Sequence, residues 1–314
     1  MTLLTLSDVG ATGPAGPVIT ALSLEVAAGE RVALLGEAGS GAEHLCAALA
    51  GAEGLRLTGD ATVGETGEGR VAFPALWQLA APPVAYLPAR TETAFAPARP
   101  LGAQIQAQVR RARRIGRGEA KSLVLWWFDR VGLRRPEAAY EALPEALPAA
   151  LLARVALARA LIAEPTLLLA EAPQSLADPV ERAGLLAQIR QLCTASGAAL
   201  LFSTADPALA AEMADRLVVF YAGSVVEDGP VAALLTAPRH PYLAGLLQCL
   251  PERALPGAPL FEMPGAMPAP GAVAKGCVYH PRCPNALAGC YLEAPALTET
   301  GPRRVACTWP LESP

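Results

Sequence analysis

The stretch VALLGEAGSGAEHLCAALAG, residues 32–51, has the residue types and spacing of a loop that binds phosphate. Gly36 and Gly41 keep the spacing of a glycine-rich turn whose backbone N–H groups surround phosphate oxygens. Such a loop also uses a lysine that reaches the β/γ-phosphates and a hydroxyl that holds Mg²⁺. Here Ala42 stands at the lysine position and Glu43 at the hydroxyl position. The sequence therefore predicts the frame of a phosphate loop without its usual charges.

Glu43 allows two interpretations. Its carboxylate could hold Mg²⁺, because this ion prefers oxygen ligands. Alternatively, its negative charge in the first helical turn complements the positive helix end that a phosphate would otherwise occupy. The sequence favours the second interpretation, in which the loop is stable without a phosphate.

Four cysteines near the C-terminus could do metal chemistry. They are Cys277, Cys283, Cys290 and Cys307, with the spacing C-x5-C-x6-C-x16-C. Thiolates are ligands for tetrahedral metal sites and for iron–sulfur clusters. The tail is short and rich in proline, and so small a module needs a cross-link such as a bound metal to be stable. Three interpretations stay open, namely an iron–sulfur cluster, a zinc site and free thiols, and the first is favoured.

The amino-acid composition limits the classes of protein to which this chain can belong. The 314-residue chain is 53% hydrophobic, which is ample for a buried core with room for one large domain and a smaller appendage. Its formal net charge of −4 argues against nucleic acid as a partner, since phosphate neutralisation needs Lys and Arg over a broad face. The basic segment QVRRARRIGR, residues 108–117, is a local exception that we interpret as a solvated helix face.

The elements that would position these residues alternate along the chain. Short apolar runs at 29–36, 166–170, 198–204 and 216–223 predict strands, and helical spacing fills the intervals. One helix is predicted from about Ala149 to Ala163, ended by Pro165. This alternation predicts an α/β fold with a parallel sheet. A Pro- and Gly-rich linker at 252–276 then separates the cysteine tail.

Three segments resemble the nucleotide-binding subunits of ATP-binding cassette (ABC) transporters, specifically the importers of oligopeptides, dipeptides and nickel. GEAGSG is similar to the start of that family's phosphate loop, and EMADRLVVFYAGSVVEDG is similar to the segment after its switch histidine. APRHPYLAGLLQCLP, residues 237–251, resembles the family's C-terminal hallmark around His240, Pro241 and Tyr242. The last match is the most specific, because generic cassettes lack it.

The resemblance implies a P-loop NTPase (RecA-like) α/β nucleotide-binding domain over residues 1–235. A helical insert at about residues 84–154 would contact membrane subunits. Residues 236–314 would form the small Cys-rich module of oligopeptide transporters, which in some members holds a 4Fe–4S cluster on cysteines such as these four.

The family's working residues fall on positions of altered type in this chain. Ala42 stands at the position of the lysine, and Glu43 at that of the Mg²⁺-binding hydroxyl. Ala89 stands at the position of the Mg²⁺-sensing glutamine. Glu171 and Ala172 stand at the acidic pair, and Ala205 at the switch histidine. The signature loop falls on LPAAL, residues 147–151. The residues still expected to contact nucleotide are Gly36, Gly39, Ser40, Gly41, Glu43 and Asp178.

A further loss concerns the adenine base. The family stacks adenine on an early aromatic side chain, yet no Phe, Tyr or Trp precedes Phe73. Stacking contributes roughly 1–3 kcal/mol per base in other sites, and removing the lysine forfeits a further contact of about 1.5–3 kcal/mol. We therefore expect ATP and Mg²⁺ to bind weakly or not at all, and this chain's own hydrolysis to be weak or absent.

The resemblance also implies partners. The chain would be the ATP-binding subunit of a di- or oligopeptide importer, peripheral on the cytoplasmic face of the inner membrane. It would contact two permease subunits, form a heterodimer with an intact ATPase subunit, and receive cargo indirectly from a periplasmic or extracellular substrate-binding protein. The alternative is a regulatory or scaffold protein without ATPase activity, whose four-cysteine tail senses redox state or iron.

Overall fold

A computed structural model of the chain describes residues 1–52, 54–64, 71–79, 82–176, 178–254, 259–272 and 275–312. The strands in these residues are β1 (Thr2–Gly13), β2 (Gly16–Ala27), β3 (Arg31–Leu35), β4 (Arg56–Val63), β5 (Val71–Ala72), β6 (Val84–Leu87), β7 (Leu167–Ala170), β8 (Ala199–Thr204), β9 (Arg216–Tyr221), β10 (Ser224–Pro230), β11 (Thr298–Thr300) and β12 (Arg303–Val305).

The α-helices in the same residues are α1 (Ala42–Leu49), α2 (Phe73–Leu76), α3 (Leu101–Arg113), α4 (Arg117–Arg130), α5 (Pro136–Glu141), α6 (Ala149–Leu161), α7 (Pro179–Ser196), α8 (Pro207–Met213), α9 (Val231–Thr236) and α10 (Pro241–Gln248). Among these helices, none combines the length and the apolar character needed to cross a membrane.

The chain forms two compact units. The first comprises residues 1–5, 25–30 and 61–202, and the second comprises residues 6–24, 31–60 and 203–314. Strands β1, β2, β4 and β8 contribute residues to both. The boundary expected between residues 235 and 236 lies inside the second unit, and the division into a 1–235 domain and a C-terminal module stays a prediction.

In the first unit, β6, β7 and β8 pair in parallel, with Val84 opposite Leu167 and Leu167 opposite Ala199. Every residue of β7 is buried, as expected for a strand covered on both faces. The helix before it, α6, begins at Ala149 as predicted and ends at Leu161. Helices α3, α4 and α5 pack on one another within the span predicted to be a helical insert.

In the second unit, β3 pairs in parallel with β9, with Val32 opposite Arg216. β9 returns antiparallel as β10, which pairs with β12, and β12 pairs with β11. Val32 and the three residues after it are fully buried. The predicted parallel strand pairing is thus confirmed in both units, and it places the loop after β3 at a strand end, where ligands of such sheets bind.

Candidate functional site

The loop between β3 and α1 has the backbone of a phosphate loop. Gly36 N–H donates to the Thr204 carbonyl at 3.2 Å, which fixes the start of the loop. Gly41 has a φ of 96°, and a Cβ there would lie 2.3 Å from the Val18 carbonyl oxygen. Only glycine can occupy this position without a shift of the backbone. Ala42, at the lysine position, is 2% exposed as the first residue of α1.

The carboxylate of Glu43 lies in the loop and accepts three hydrogen bonds from it. Gly39 N–H donates to Oε1 at 2.6 Å, Gly41 N–H donates to Oε2 at 3.1 Å, and the Ser40 hydroxyl donates to Oε2 at 3.3 Å. These are the groups that hold phosphate oxygens in such loops. The carboxylate therefore lies at the positive end of the helix, where a phosphate would otherwise bind, as the second interpretation of Glu43 predicted. Its role as a Mg²⁺ ligand stays a prediction.

The same contacts test whether the loop fits a nucleotide. Its amides converge on a pair of anionic oxygens, so the backbone suits phosphoryl groups. Alanine stands at the lysine position, and the His44 imidazole lies beside the loop with Nε2 4.0 Å from Glu43 Oε1. The loop thus fits phosphate once the Glu43 side chain moves away, with hydrogen bonds in place of the usual cation.

Two residues in the C-terminal part of the second unit, Tyr242 and Arg282, bind the phosphate loop at Glu37. The Arg282 guanidinium donates to both carboxylate oxygens of Glu37, at 3.0 and 3.3 Å, and its side chain is only 4% exposed. The Tyr242 hydroxyl accepts from Glu37 N–H at 3.0 Å. Sequence reasoning missed this contact. Glu37 and Arg282 are 245 positions apart in the sequence. The only sequence signal for them is that one lies in the phosphate loop and the other in the cysteine tail.

The acidic strand end lies in the first unit. Glu171 follows β7 and accepts from the Tyr86 hydroxyl at 2.5 Å and from Ala89 N–H at 3.4 Å. The structure therefore brings the predicted positions Ala89 and Glu171 together. Ala172 has a φ of 38°, which is unfavourable for a residue with a Cβ. Ala205, at the histidine position, is exposed after β8 in the second unit.

Asp178, the site residue that keeps its expected type, caps helix α7. Its carboxylate accepts from Val180 N–H at 2.8 Å and from Glu181 N–H at 2.9 Å. We expect Asp178→Ala to lower the free energy of unfolding by about 1 kcal/mol, because two amides at the helix start lose their acceptor. Asp178→Asn is the control, since asparagine caps as well. Urea unfolding measures both, and equal losses in the two variants would contradict this role.

His240 caps the start of α10 and is 1% exposed, and its Nδ1 accepts from Tyr242 N–H. Burial lowers the pKa of His240 from 6.5 to about 3. Between these values the unfolded chain binds a proton that the folded chain does not, so stability falls as pH drops below 6.5.

We expect the free energy of unfolding to fall by about 1.4 kcal/mol per pH unit from this residue between pH 6 and 4. His240→Asn keeps a cap acceptor and removes the titration, so its stability should depend less on pH. Urea unfolding at both ends of this window measures the two slopes. Identical slopes in the wild type and the variant would contradict the assignment.

The four tail cysteines line one small cavity of about 10 Å³, together with His240 and Trp309. Burial raises the pKa of Cys277 and Cys283, and raises that of Cys307 to about 11. Burial therefore favours the protonated thiol over the thiolate in these three side chains. The structure brings the four residues together around this cavity, with Cys277 and Cys290 buried and Cys283 and Cys307 partly exposed.

Comparisons with known proteins agree with this geometry. The family described as "Oligopeptide/dipeptide transporter, C-terminal region" matches residues 226–290. A putative peptide import ATP-binding protein of Brucella ovis is 36% identical over 214 residues, which cover 65% of this chain and 62% of that protein. The dipeptide transport ATP-binding protein DppD of Escherichia coli is 31% identical over 301 residues, which cover 93% of this chain and 90% of DppD. The chain belongs to the family of peptide-transporter ATP-binding proteins.

A solved structure shows the fold of this peptide-transporter ATP-binding protein. The structure of this chain is similar to that of CbiO1 of Clostridium perfringens, part of the ABC transporter complex CbiONQ, with a TM-score of 0.57 and 17% sequence identity. The match covers 74% of this chain and 90% of CbiO1. The predicted fold class, a P-loop NTPase of the ABC type, is confirmed.

Two expectations about cofactors are wrong. Weak or absent binding of ATP and Mg²⁺ is overturned by the family, because relatives that align over nearly the whole chain are ATP-binding proteins. The 4Fe–4S cluster is overturned by the side-chain arrangement. Within the part of the chain that the structure describes, no group of three or more His, Cys, Asp or Glu side chains is placed to hold a metal ion. Cysteine spacing alone did not distinguish buried thiols from ligands.

Proposed function

We propose that this peptide-transporter ATP-binding protein holds ATP in its phosphate loop and leaves hydrolysis to a second ATP-binding subunit. The observation that carries the proposal is the carboxylate of Glu43 on the loop amides, with alanine at the positions of the lysine, the general base and the switch histidine. The frame for phosphate is present, and the groups that would activate water are replaced by methyl groups.

The chain's own residues define what happens at its loop. The amides of Gly39 and Gly41 and the Ser40 hydroxyl would hold phosphate oxygens after the Glu43 side chain turns away. Bound Mg²⁺-ATP supplies the phosphoanhydride whose hydrolysis powers transport in this class of protein. The methyl group of Ala172 can neither orient water nor accept its proton, and that of Ala205 cannot donate a hydrogen bond to a phosphate. Hydrolysis at this loop is therefore slow.

Membership of the family supports a proposed assembly. The chain lies at the cytoplasmic face of the inner membrane, against two permease subunits, as a heterodimer with an intact ATPase subunit. Its cargo is a dipeptide or oligopeptide, since DppD is named for dipeptide transport and the matching family model is described for oligopeptide and dipeptide transporters. Residues 1–235 form the nucleotide-binding domain, whose helical insert at about residues 84–154 contacts the permeases. Residues 236–314 form a C-terminal module.

The hydrolysis rate of the purified chain tests the catalytic part. We compare it with a restored variant that carries Ala42→Lys, Glu43→Ser, Ala172→Glu and Ala205→His. The wild-type rate should be at least about 100-fold lower, the usual contribution of a positioned general base. A matched control replaces Ala172→Glu by Ala172→Gln, which keeps the shape without the base and should turn over slowly. Equal rates in the wild type and the restored variant would overturn the proposal.

Purification of the tagged chain from native membranes tests the assembly. Mass spectrometry of the complex should find two permease chains and a second ATP-binding subunit that carries the loop lysine, the acidic pair and the histidine. A homodimer of this chain on the permeases would overturn the heterodimer.

A further inference from the structure

A cavity of about 340 Å³ lies within the first unit. Its walls come from the end of helix α4, the turn between α6 and β7, and the last turn of α7. The volume is within the range of about 300–1,000 Å³ that is typical of small-molecule sites. All residues that line the cavity belong to the first unit, whereas the phosphate loop belongs to the second.

Two tryptophans and an arginine of α4 form one wall of this cavity. The rings of Trp126 and Trp127 meet edge to face with their centroids 5.5 Å apart, and Trp126 is 51% exposed. The Arg130 guanidinium lies over both rings, 4.9 Å from the Trp126 centroid and 5.7 Å from that of Trp127. No carboxylate in the described part of the chain forms an ion pair with Arg130. Its planar set of N–H donors therefore suits the carboxylate of a ligand.

Negative charge lies on the walls from α6 and α7. Glu164, in the turn after α6, lines the cavity with a side chain that is 71% exposed. Its Oε1 pairs with Arg113 at 2.8 Å, which orients the carboxylate and leaves it further acceptor sites. Ser196 and Gly197 at the end of α7 also line the cavity, and the C-terminal end of a helix carries partial negative charge. These walls therefore suit an ammonium group.

The backbone of Glu164 is a further sign of function. Its φ of 57° lies in the left-handed region, where a residue with a Cβ costs energy. Strain of this kind clusters at functional sites. Glycine would adopt the same backbone at lower cost but would bring no carboxylate to the cavity.

We propose that this cavity binds a small zwitterion, namely an amino acid or a short peptide with both ends free and an apolar or aromatic side chain. Arg130 binds its carboxylate, Glu164 and the end of α7 bind its ammonium group, and Trp126 packs on its side chain. The inference goes beyond the proposed function, because it assigns a second ligand site that does not depend on ATP at the phosphate loop.

Calorimetric titration of the full chain with the dipeptide phenylalanyl-alanine tests this inference. Two capped forms of the dipeptide, one acetylated at its amino end and one amidated at its carboxyl end, each lack one charge. We expect each cap to raise the Kd at least about tenfold, because a charge-assisted contact is lost. Titration with free phenylalanine shows whether an amino acid or a peptide is the tighter ligand.

Variants of the chain assign each end of the ligand to a residue. In Arg130→Gln the amidated and free dipeptides should bind alike, and in Glu164→Gly the acetylated and free dipeptides should bind alike. Glu164→Gly suits the backbone at this position, so it should fold as well as the wild type, and urea unfolding checks this. Arg134→Gln is the matched control, since it removes the same charge from an exposed residue that does not line the cavity. Its affinities should match those of the wild type.

Two results would overturn the site. One is that the wild-type chain binds neither free probe, or binds the dipeptide and its capped forms equally. The other is that Arg130→Gln and Glu164→Gly discriminate against the capped forms as strongly as the wild type does. Neither result involves ATP, so the proposed function would stand or fall by its own measurements.

Discussion

Replacing Ala42 by lysine and Glu43 by serine raises the affinity of this chain for Mg-ATP by about 10- to 100-fold. The lysine adds a charge-assisted contact to phosphate of roughly 1.5–3 kcal/mol, and each 1.4 kcal/mol is a factor of about ten. The serine removes a carboxylate that now accepts from Gly39 N–H and Gly41 N–H and must leave before phosphate binds. Titration with a fluorescent ATP analogue measures the change.

Single substitutions separate the two causes. Glu43→Gln keeps the length of the side chain and removes its charge, so it should raise affinity less than Glu43→Ser. Ala42→Lys alone should gain little, because the new ammonium group would pair with the Glu43 carboxylate instead of with phosphate. Equal affinities in the wild type and the double variant would show that Glu43 does not compete for the phosphate position.

Replacing Glu37 by alanine lowers the free energy of unfolding by about 3 kcal/mol. The substitution leaves the Arg282 guanidinium, whose side chain is 4% exposed, without its carboxylate. Breaking a buried ion pair on one side typically costs about 3–5 kcal/mol, and the lower end applies because the Glu37 side chain is 32% exposed. Urea unfolding measures the loss.

Two comparisons sharpen this prediction. Glu92→Ala breaks the pair of Arg90 and Glu92, whose side chains are 80% and 55% exposed, and should cost less than about 1 kcal/mol. The double variant Glu37→Gln with Arg282→Met removes both charges and should be less destabilised than Glu37→Ala, because no buried charge is then unpaired. An equal loss of unfolding free energy at the buried pair and at the exposed pair would contradict the role of the Glu37–Arg282 pair in holding the phosphate loop.

Local features of the fold could be predicted from the sequence. Helix α6 begins at the predicted residue because Pro148 precedes a run of leucine and alanine with helical spacing, and β7 is a short apolar run after Pro165. The phosphate loop follows from its two glycines, since its backbone needs a positive φ at Gly41. These signals lie within a few residues of the element that they specify.

Contacts between distant segments could not be predicted in this way. The Glu37–Arg282 pair depends on tertiary packing that no spacing encodes. The charge of Glu43 predicted a partner at the helix start, but its three hydrogen bonds depend on how the loop folds around the carboxylate. The prediction of a cluster from the cysteine spacing was wrong, because spacing alone does not show how the side chains are placed among the residues that the structure describes.

The central claim is that this chain holds ATP without hydrolysing it. The most direct measurement loads the purified chain with Mg-ATP, removes free nucleotide and identifies the bound nucleotide by chromatography over time. We expect the bound nucleotide to be recovered as ATP from the wild-type chain and as ADP from the restored variant. Conversion of ATP to ADP by the wild-type chain at the rate of the restored variant would contradict it.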